Sequence, residues 1–72
     1  MIQSIIIDDE FDSIDTLKWK LENYCPEVTA EATFMDPIKG LDYLKSNKVD
    51  LLFLDIEMPK LNGFDVLQAF SI

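Results

Sequence analysis

Histidine is absent from this chain, cysteine occurs once, at Cys25, and glycine only at Gly40 and Gly63. With no imidazole and a single thiol, oxygen is the ligand chemistry on offer, which favours a hard cation over zinc or copper. One cysteine forms no internal disulfide, so a reducing compartment fits, and Cys25 reads as a small buried apolar residue. The start Met1-Ile2-Gln3-Ser4 has none of the basic residues that open a secretory signal, which adds to the case for the cytoplasm. No glycine-rich turn follows the first apolar run, so a dinucleotide-binding fold fits poorly. No apolar run approaches the roughly 20 residues that span a bilayer. Bases are scarce as well: six lysines stand against fourteen Asp plus Glu, for a formal charge of −8. That balance opposes binding of DNA, RNA or anionic lipid by this segment itself.

What is present is a globular composition, 49% hydrophobic and 28% charged, which sets it apart from disordered chains. Its 72 residues allow one domain at most, and a chain of this size buries only about 60% of its unfolded surface, which predicts marginal stability. No internal repeat, low-complexity stretch or linker divides it.

Residues Ile2–Ile7 read as a first strand. Phe11, Ile14, Leu17, Leu21 and Tyr24 then recur at helical spacing until Cys25-Pro26 breaks the pattern. Val28–Phe34 alternates, small or apolar residues on one side and Thr29, Glu31 and Thr33 on the other, as in an edge strand. Asp36-Pro37 supplies an N-cap and the proline favoured at the first helical position, and Ile38, Leu41 and Leu44 form the stripe of a second helix that ends at Ser46-Asn47-Lys48. Leu51–Leu54 is a third strand, Pro59-Lys60-Leu61-Asn62-Gly63 is a turn-prone loop, and Phe64, Leu67 and Phe70 begin a third helix.

Strand and helix alternating three times predict an α/β fold with a parallel sheet, right-handed crossovers and helices on both faces. Strands one and three have the apolar content of strands buried on both sides, and strand two has that of an edge, which favours the order 2-1-3. In that order the chain reverses between strands one and three, and open parallel sheets bind ligands at such a switch point, outside the strand carboxyl ends.

Acids sit at those ends. Asp8-Asp9 closes the first apolar run, and Asp55 closes the third and opens Ile56-Glu57-Met58-Pro59. Three carboxylates gathered there repel one another unless a cation joins them. Mg²⁺, which uses one or two carboxylates with waters and phosphate oxygens, is the leading candidate. Taken alone, Asp8, Asp9 and Glu10 fit equally well as acidic caps of the next helix; Asp55 tips the balance. A carboxylate beside Mg²⁺ can act as a nucleophile toward a phosphoryl group. Asp55 is the predicted nucleophile, Asp9 the direct metal ligand, Asp8 a ligand through water, and Glu57 a contributor through its backbone carbonyl.

Ile6-Ile7-Asp8-Asp9-Glu10, followed by Leu52-Phe53-Leu54-Asp55-Ile56-Glu57-Met58-Pro59-Lys60-Leu61-Asn62-Gly63, resembles the receiver domain of two-component response regulators. Asn23-Tyr24-Cys25-Pro26-Glu27-Val28 with Asp55-Ile56-Glu57-Met58-Pro59 is similar to receivers of the LytTR class. The resemblance implies a flavodoxin-like sheet, 2-1-3-4-5 when complete, and phosphorylation of Asp55 by a sensor histidine kinase. It implies Mg²⁺ held by Asp9, Asp55 and the Glu57 carbonyl, with Asp8 completing the acidic pair. Pro59 and Gly63 would shape the loop into the third helix. Residues 1–72 would be the N-terminal part of one receiver, ending inside its third helix. The family's Ser or Thr after the fourth strand and Lys after the fifth would lie beyond, as would the switch elements and any DNA-binding output domain. A chain cut there would leave the third strand's far edge unpaired, so self-association is a further expectation.

Trp19 lies about 140° round the first helix from Ile14, beside Asp12, Ser13, Asp15 and Thr16, and should face outward. In the receiver family this helix docks the kinase, so Trp19 and Thr16 are candidate partner contacts; the plainer alternative is an ordinary exposed tryptophan. Met35 and Met58 read as gap fillers and Tyr43 as a surface residue. Asp12, Asp15, Asp42, Asp50 and Asp65 read as solvated acids without a site role.

Two other functions fit the residues less well. An Mg²⁺-dependent aspartyl phosphatase of haloacid dehalogenase type also uses an Asp at a strand end, but its pattern is Asp-x-Asp where this chain has Asp55-Ile56-Glu57, and it has no place for Asp8-Asp9. A receiver-like binding module that is never phosphorylated commonly lacks one of the pocket acids, and all three are here.

Overall fold

The computed structural model describes residues 1–55. Strand β1 (Ile2–Ile7), helix α1 (Phe11–Tyr24), strand β2 (Val28–Phe34), helix α2 (Pro37–Ser46) and strand β3 (Leu51–Leu54) follow one another. The three strands are parallel, in the order β2-β1-β3. This is the flavodoxin-like α/β pattern. The expected Pro59–Gly63 loop and third helix lie outside the described residues.

Burial explains the order. β1 carries Ser4, Ile5, Ile6 and Ile7, all buried, and only a central strand covered on both faces hides four consecutive side chains. The alternation of the strand sends Ile5 and Ile7 to one face, where Ala32, Phe34, Tyr43, Leu44, Val49, Leu52 and Leu54 pack on them. Ile6 goes to the other, against Ile14 and Leu21 of α1, with Leu17, Cys25, Val28, Ala30 and Phe53 around it. The two helices therefore cover opposite faces. The buried Ser4 hydroxyl donates to the Thr29 carbonyl at 2.9 Å, which removes the cost of hiding it.

The helices stop and start where their sequences dictate. Asp36 accepts the Ile38 N–H at 3.0 Å, with Pro37 in the first turn of α2. Asn47 ends that helix by donating twice to the Tyr43 carbonyl, from its N–H at 2.9 Å and its Nδ2 at 3.1 Å. At the end of α1 the Cys25 N–H still reaches Leu21 O, at 2.9 Å, before Pro26 turns the chain into β2. Gly40 faces Ile7 so closely that a Cβ there would lie 2.8 Å from Ile7 Cγ1, with Ile7 Cδ1 nearer still. Glycine lets α2 settle onto the sheet.

Several expectations need correction. β2 does not alternate cleanly: Ser4 pairs with Ala30 and Ile5 with Ala32, so Glu31 is an extra residue in a bulge. The bulge shifts the apolar residues between faces, Val28 and Ala30 toward α1, Ala32 and Phe34 toward α2. It also draws Tyr43 out of its expected surface role. The Tyr43 ring packs on Phe34 with centroids 5.2 Å apart, and its hydroxyl donates to Glu31 Oε1 at 3.1 Å. β3 is not buried on both sides; within the sheet of described residues it is an edge, with Leu51 exposed and Leu52–Leu54 half-buried. Phe11, Tyr24 and Ile38 fit their helical stripes but lie in first or last turns that overhang the sheet, and all are exposed.

Candidate functional site

Asp8 and Asp9 follow the last residue of β1, and Asp55 follows the last residue of β3. The two strands are adjacent and in register from Ser4 opposite Leu51 to Ile7 opposite Leu54, so the next pair outward is Asp8 opposite Asp55. The Asp8 N–H donates to Phe34 O at 3.0 Å and the Asp55 N–H to Ile7 O at 3.1 Å, which holds both main chains to the sheet as far as the acids. Asp8 and Asp55 are half-buried and Asp9 is exposed.

One carboxylate oxygen from each of Asp8, Asp9 and Asp55 lies within 4.8 Å of the others. An octahedral cation with oxygens at about 2.0–2.1 Å sets its ligands roughly 3 Å apart when adjacent and about 4 Å apart when opposite. The three acids are thus close enough to share one Mg²⁺, with water taking up slack at one of them. All the donors are oxygens, as a hard cation requires, and the donor set fits the ion.

A purely structural use of the same acids accounts for less. Glu10 occupies the N-cap of α1 but makes no side-chain capping bond. Asp8 Oδ1 accepts the Glu10 N–H at 2.9 Å, which shapes the loop. α1 begins two residues after Asp9, and the positive end of its dipole favours negative charge on this side of the sheet.

Glu57, the expected carbonyl ligand, lies outside the described residues. Trp19 is 55% exposed, as expected, and its ring meets Tyr24 edge-on with centroids 5.8 Å apart. Thr16 is exposed and lines a shallow groove with Asp12, Ser13, Leu17 and Lys20. Neither residue is near the carboxylates in chain position, and they form a separate surface of α1. Asp50, expected to be only solvated, instead bonds across the sheet: its Oδ2 accepts the Gln3 N–H at 2.9 Å. Its place just ahead of an apolar run was the one local sign of such a role. Among the described residues no helix is long and apolar enough to cross a membrane.

Known proteins bear on this arrangement. Over 67 residues, 93% of its length, the chain is 36% identical to the transcriptional regulatory protein YpdB of Escherichia coli K12 and covers 27% of that protein. It is 36% identical, over the same share of itself, to protein MrkE of Klebsiella pneumoniae, covering 24% of it. A protein-glutamate methylesterase/protein-glutamine glutaminase of Paraburkholderia xenovorans is 34% identical, with 18% of its length covered. The chain thus spans about a quarter or less of the length of these relatives. No solved structure gives a significant match. Residues 5–71 match the response regulator receiver domain, almost the whole sequence, from within β1 past both acidic clusters. The chain belongs to the response regulator receiver domain family, the signalling domains of two-component systems.

Proposed function

We propose that Asp55 is the phosphoacceptor of this receiver, taking a phosphoryl group from a sensor histidine kinase at a site where Asp9 and Asp55 hold Mg²⁺ and Asp8 does so through water. The observation that carries this is the convergence of the three carboxylates within 4.8 Å at the ends of adjacent parallel strands. In the transfer, an Asp55 oxygen attacks phosphorus, the bond from phosphorus to the kinase histidine breaks, and the freed imidazole keeps the nitrogen electron pair. Held by Asp9 and Asp55, Mg²⁺ would supply positive charge to offset that on the phosphoryl oxygens. Asp55 is suited to attack because its main chain is tied to β1 through Ile7 O while its side chain emerges at the sheet's end. We place the Glu57 carbonyl in the same ligand set.

The kinase would meet the outer face of α1, with Trp19 and Thr16 as contacts, where an exposed indole one turn from a threonine gives an anchor with a polar neighbour. The output is proposed to be transcriptional and of the LytTR class, on the strength of Asn23–Val28 and Asp55–Pro59 and of the relative described as a transcriptional regulatory protein. The methylesterase relative couples a similar domain to an enzyme's name, so the output is tested apart from the phosphoacceptor chemistry. A cytoplasmic setting accords with a kinase partner.

Calorimetric titration of Mg²⁺, with circular dichroism on the same samples, tests the site. Binding should weaken in both Asp9→Ala and Asp55→Asn, and a small acyl phosphate with Mg²⁺ should add one phosphoryl group to the intact mass of the native chain but not of Asp55→Asn. A folded chain that binds no Mg²⁺, or that turns over phosphate esters, would reject the proposal.

A further inference from the structure

At the amino ends of β1 and β3, opposite the carboxylates, Asp50 grips Gln3 twice. Its N–H donates to the Gln3 carbonyl at 2.8 Å, and its Oδ2 accepts the Gln3 N–H at 2.9 Å. One residue thereby satisfies both main-chain groups that Gln3 turns toward β3. The regular ladder runs from there, Ser4 with Leu51 through Ile7 with Leu54, and closes on the Asp55 N–H.

The apolar residues inside this ladder do little to set its register, which leaves the task to the groups at its two ends. Register is strongly specified when a strand is apolar on one face and polar on the other, because a slip of one residue then exposes its core side. Here Ile5-Ile6-Ile7 runs against Leu51-Leu52-Phe53-Leu54, apolar on both faces. A slip of one position keeps leucine or phenylalanine at three of the four rungs, where burial changes little, and at the fourth brings Asp50 opposite Ser4 or Asp55 opposite Ile7. At the far end the same slip carries Asp55 about 3.3 Å along the strand and turns it to the opposite face. That displacement is larger than the spacing between adjacent oxygens around Mg²⁺, about 3 Å.

We infer that Asp50 is a positioning residue for the phosphoacceptor site: its two bonds to Gln3 select the β1–β3 register that brings Asp55 opposite Asp8. The inference rests on Asp8, Asp9 and Asp55 forming a metal and phosphoryl site, and it names what aligns them. The bond joins residues 47 apart in sequence, and it sits at the start of β3, whose four residues give the strand little else that is polar.

Two measurements on the full chain decide it: amide hydrogen exchange at Asp55, whose N–H reports the far end of the ladder, and Mg²⁺ affinity. In Asp50→Ala, Asp55 exchange should quicken about fivefold and Mg²⁺ affinity fall by about the same factor, the scale of one lost hydrogen bond, with helical circular dichroism unchanged. Asp50→Asn keeps an acceptor oxygen in place and should restore both to within about twofold. A folded Asp50→Ala with native exchange and affinity overturns the inference, and so does an Asp50→Asn as impaired as the alanine variant. Should Asp50→Ala not fold, Asp50→Glu decides: its longer arm misplaces the acceptor, so native exchange and affinity in that variant overturn the inference and weakened values uphold it. If the native chain binds no Mg²⁺, the site reading fails by itself, and Asp55 exchange still shows whether Asp50 sets the register.

Discussion

At the amino end of the β1–β3 pair one acid meets a main-chain donor, whereas at the carboxyl end three acids gather together. Asp50 takes the Gln3 N–H, so its charge is met by the sheet itself. Asp8, Asp9 and Asp55 crowd within 4.8 Å, with the Glu10 N–H accepted by Asp8 inside its own loop. The residue type is the same and the surroundings differ. A carboxylate that accepts a main-chain N–H stabilises the fold, while one added to a cluster of like charge costs stability until a cation arrives.

The comparison is broken most completely by Asp55→Asn, which should abolish phosphoryl acceptance in intact-mass measurements while leaving circular dichroism unchanged, if the proposed phosphoacceptor is this acid. Next comes Gly40→Ala. The new Cβ would press on fully buried Ile7, the residue before Asp8. Overpacking costs about 1–3 kcal/mol, against about 1 kcal/mol gained in helix propensity. A net loss of up to about 2 kcal/mol in urea unfolding is expected.

A smaller effect tests the sign itself. In metal-free buffer Asp50→Ala should lower unfolding stability by about 1 kcal/mol, and Asp9→Ala should raise it by up to about 1 kcal/mol as one like charge leaves. Added Mg²⁺ should stabilise the native chain and leave Asp9→Ala nearly unmoved. If both substitutions shift stability in the same direction without metal, the contrast between the two ends fails.

The smallest effect belongs to a third acid–partner pair, on the α2 face. Desolvation, and then the hydrogen bond and negative charge of Glu31, push the Tyr43 phenol above its ordinary 10.0. An acid whose folded value is raised gives stability that is intact below pH 10.0 and is lost as pH rises through the folded value. Thermal unfolding should therefore show the native chain losing stability above that point relative to Tyr43→Phe, with the two curves parallel below it.

Element positions were legible because each signal is local. Pro26 and Pro37 mark boundaries through their own covalent geometry, and Ile14 and Leu21 share a face because they are seven residues apart on a 3.6-residue period. The gathering of Asp8, Asp9 and Asp55 was legible too, since they stand where apolar runs end. Tyr43 was not, because its burial depends on the Glu31 bulge, which belongs to the pairing of β2 with β1 and leaves no mark in α2. The exposure of Phe11, Tyr24 and Ile38 was hidden as well, because periodicity gives a direction around a helix but not how far the sheet extends beneath its ends.

By itself the sequence determined the order of elements, the central place of the Ile5-Ile6-Ile7 strand and the presence of acids at two strand ends, all of which follow from backbone period and solubility within a few residues. Only the tertiary structure decided that Glu31 bulges, that Gly40 must lack a side chain, and that Asp50 closes on Gln3 while Asp55 faces Asp8. Those depend on register between segments distant in the chain, and two apolar strands of nearly uniform composition carry almost no register information in their own residues.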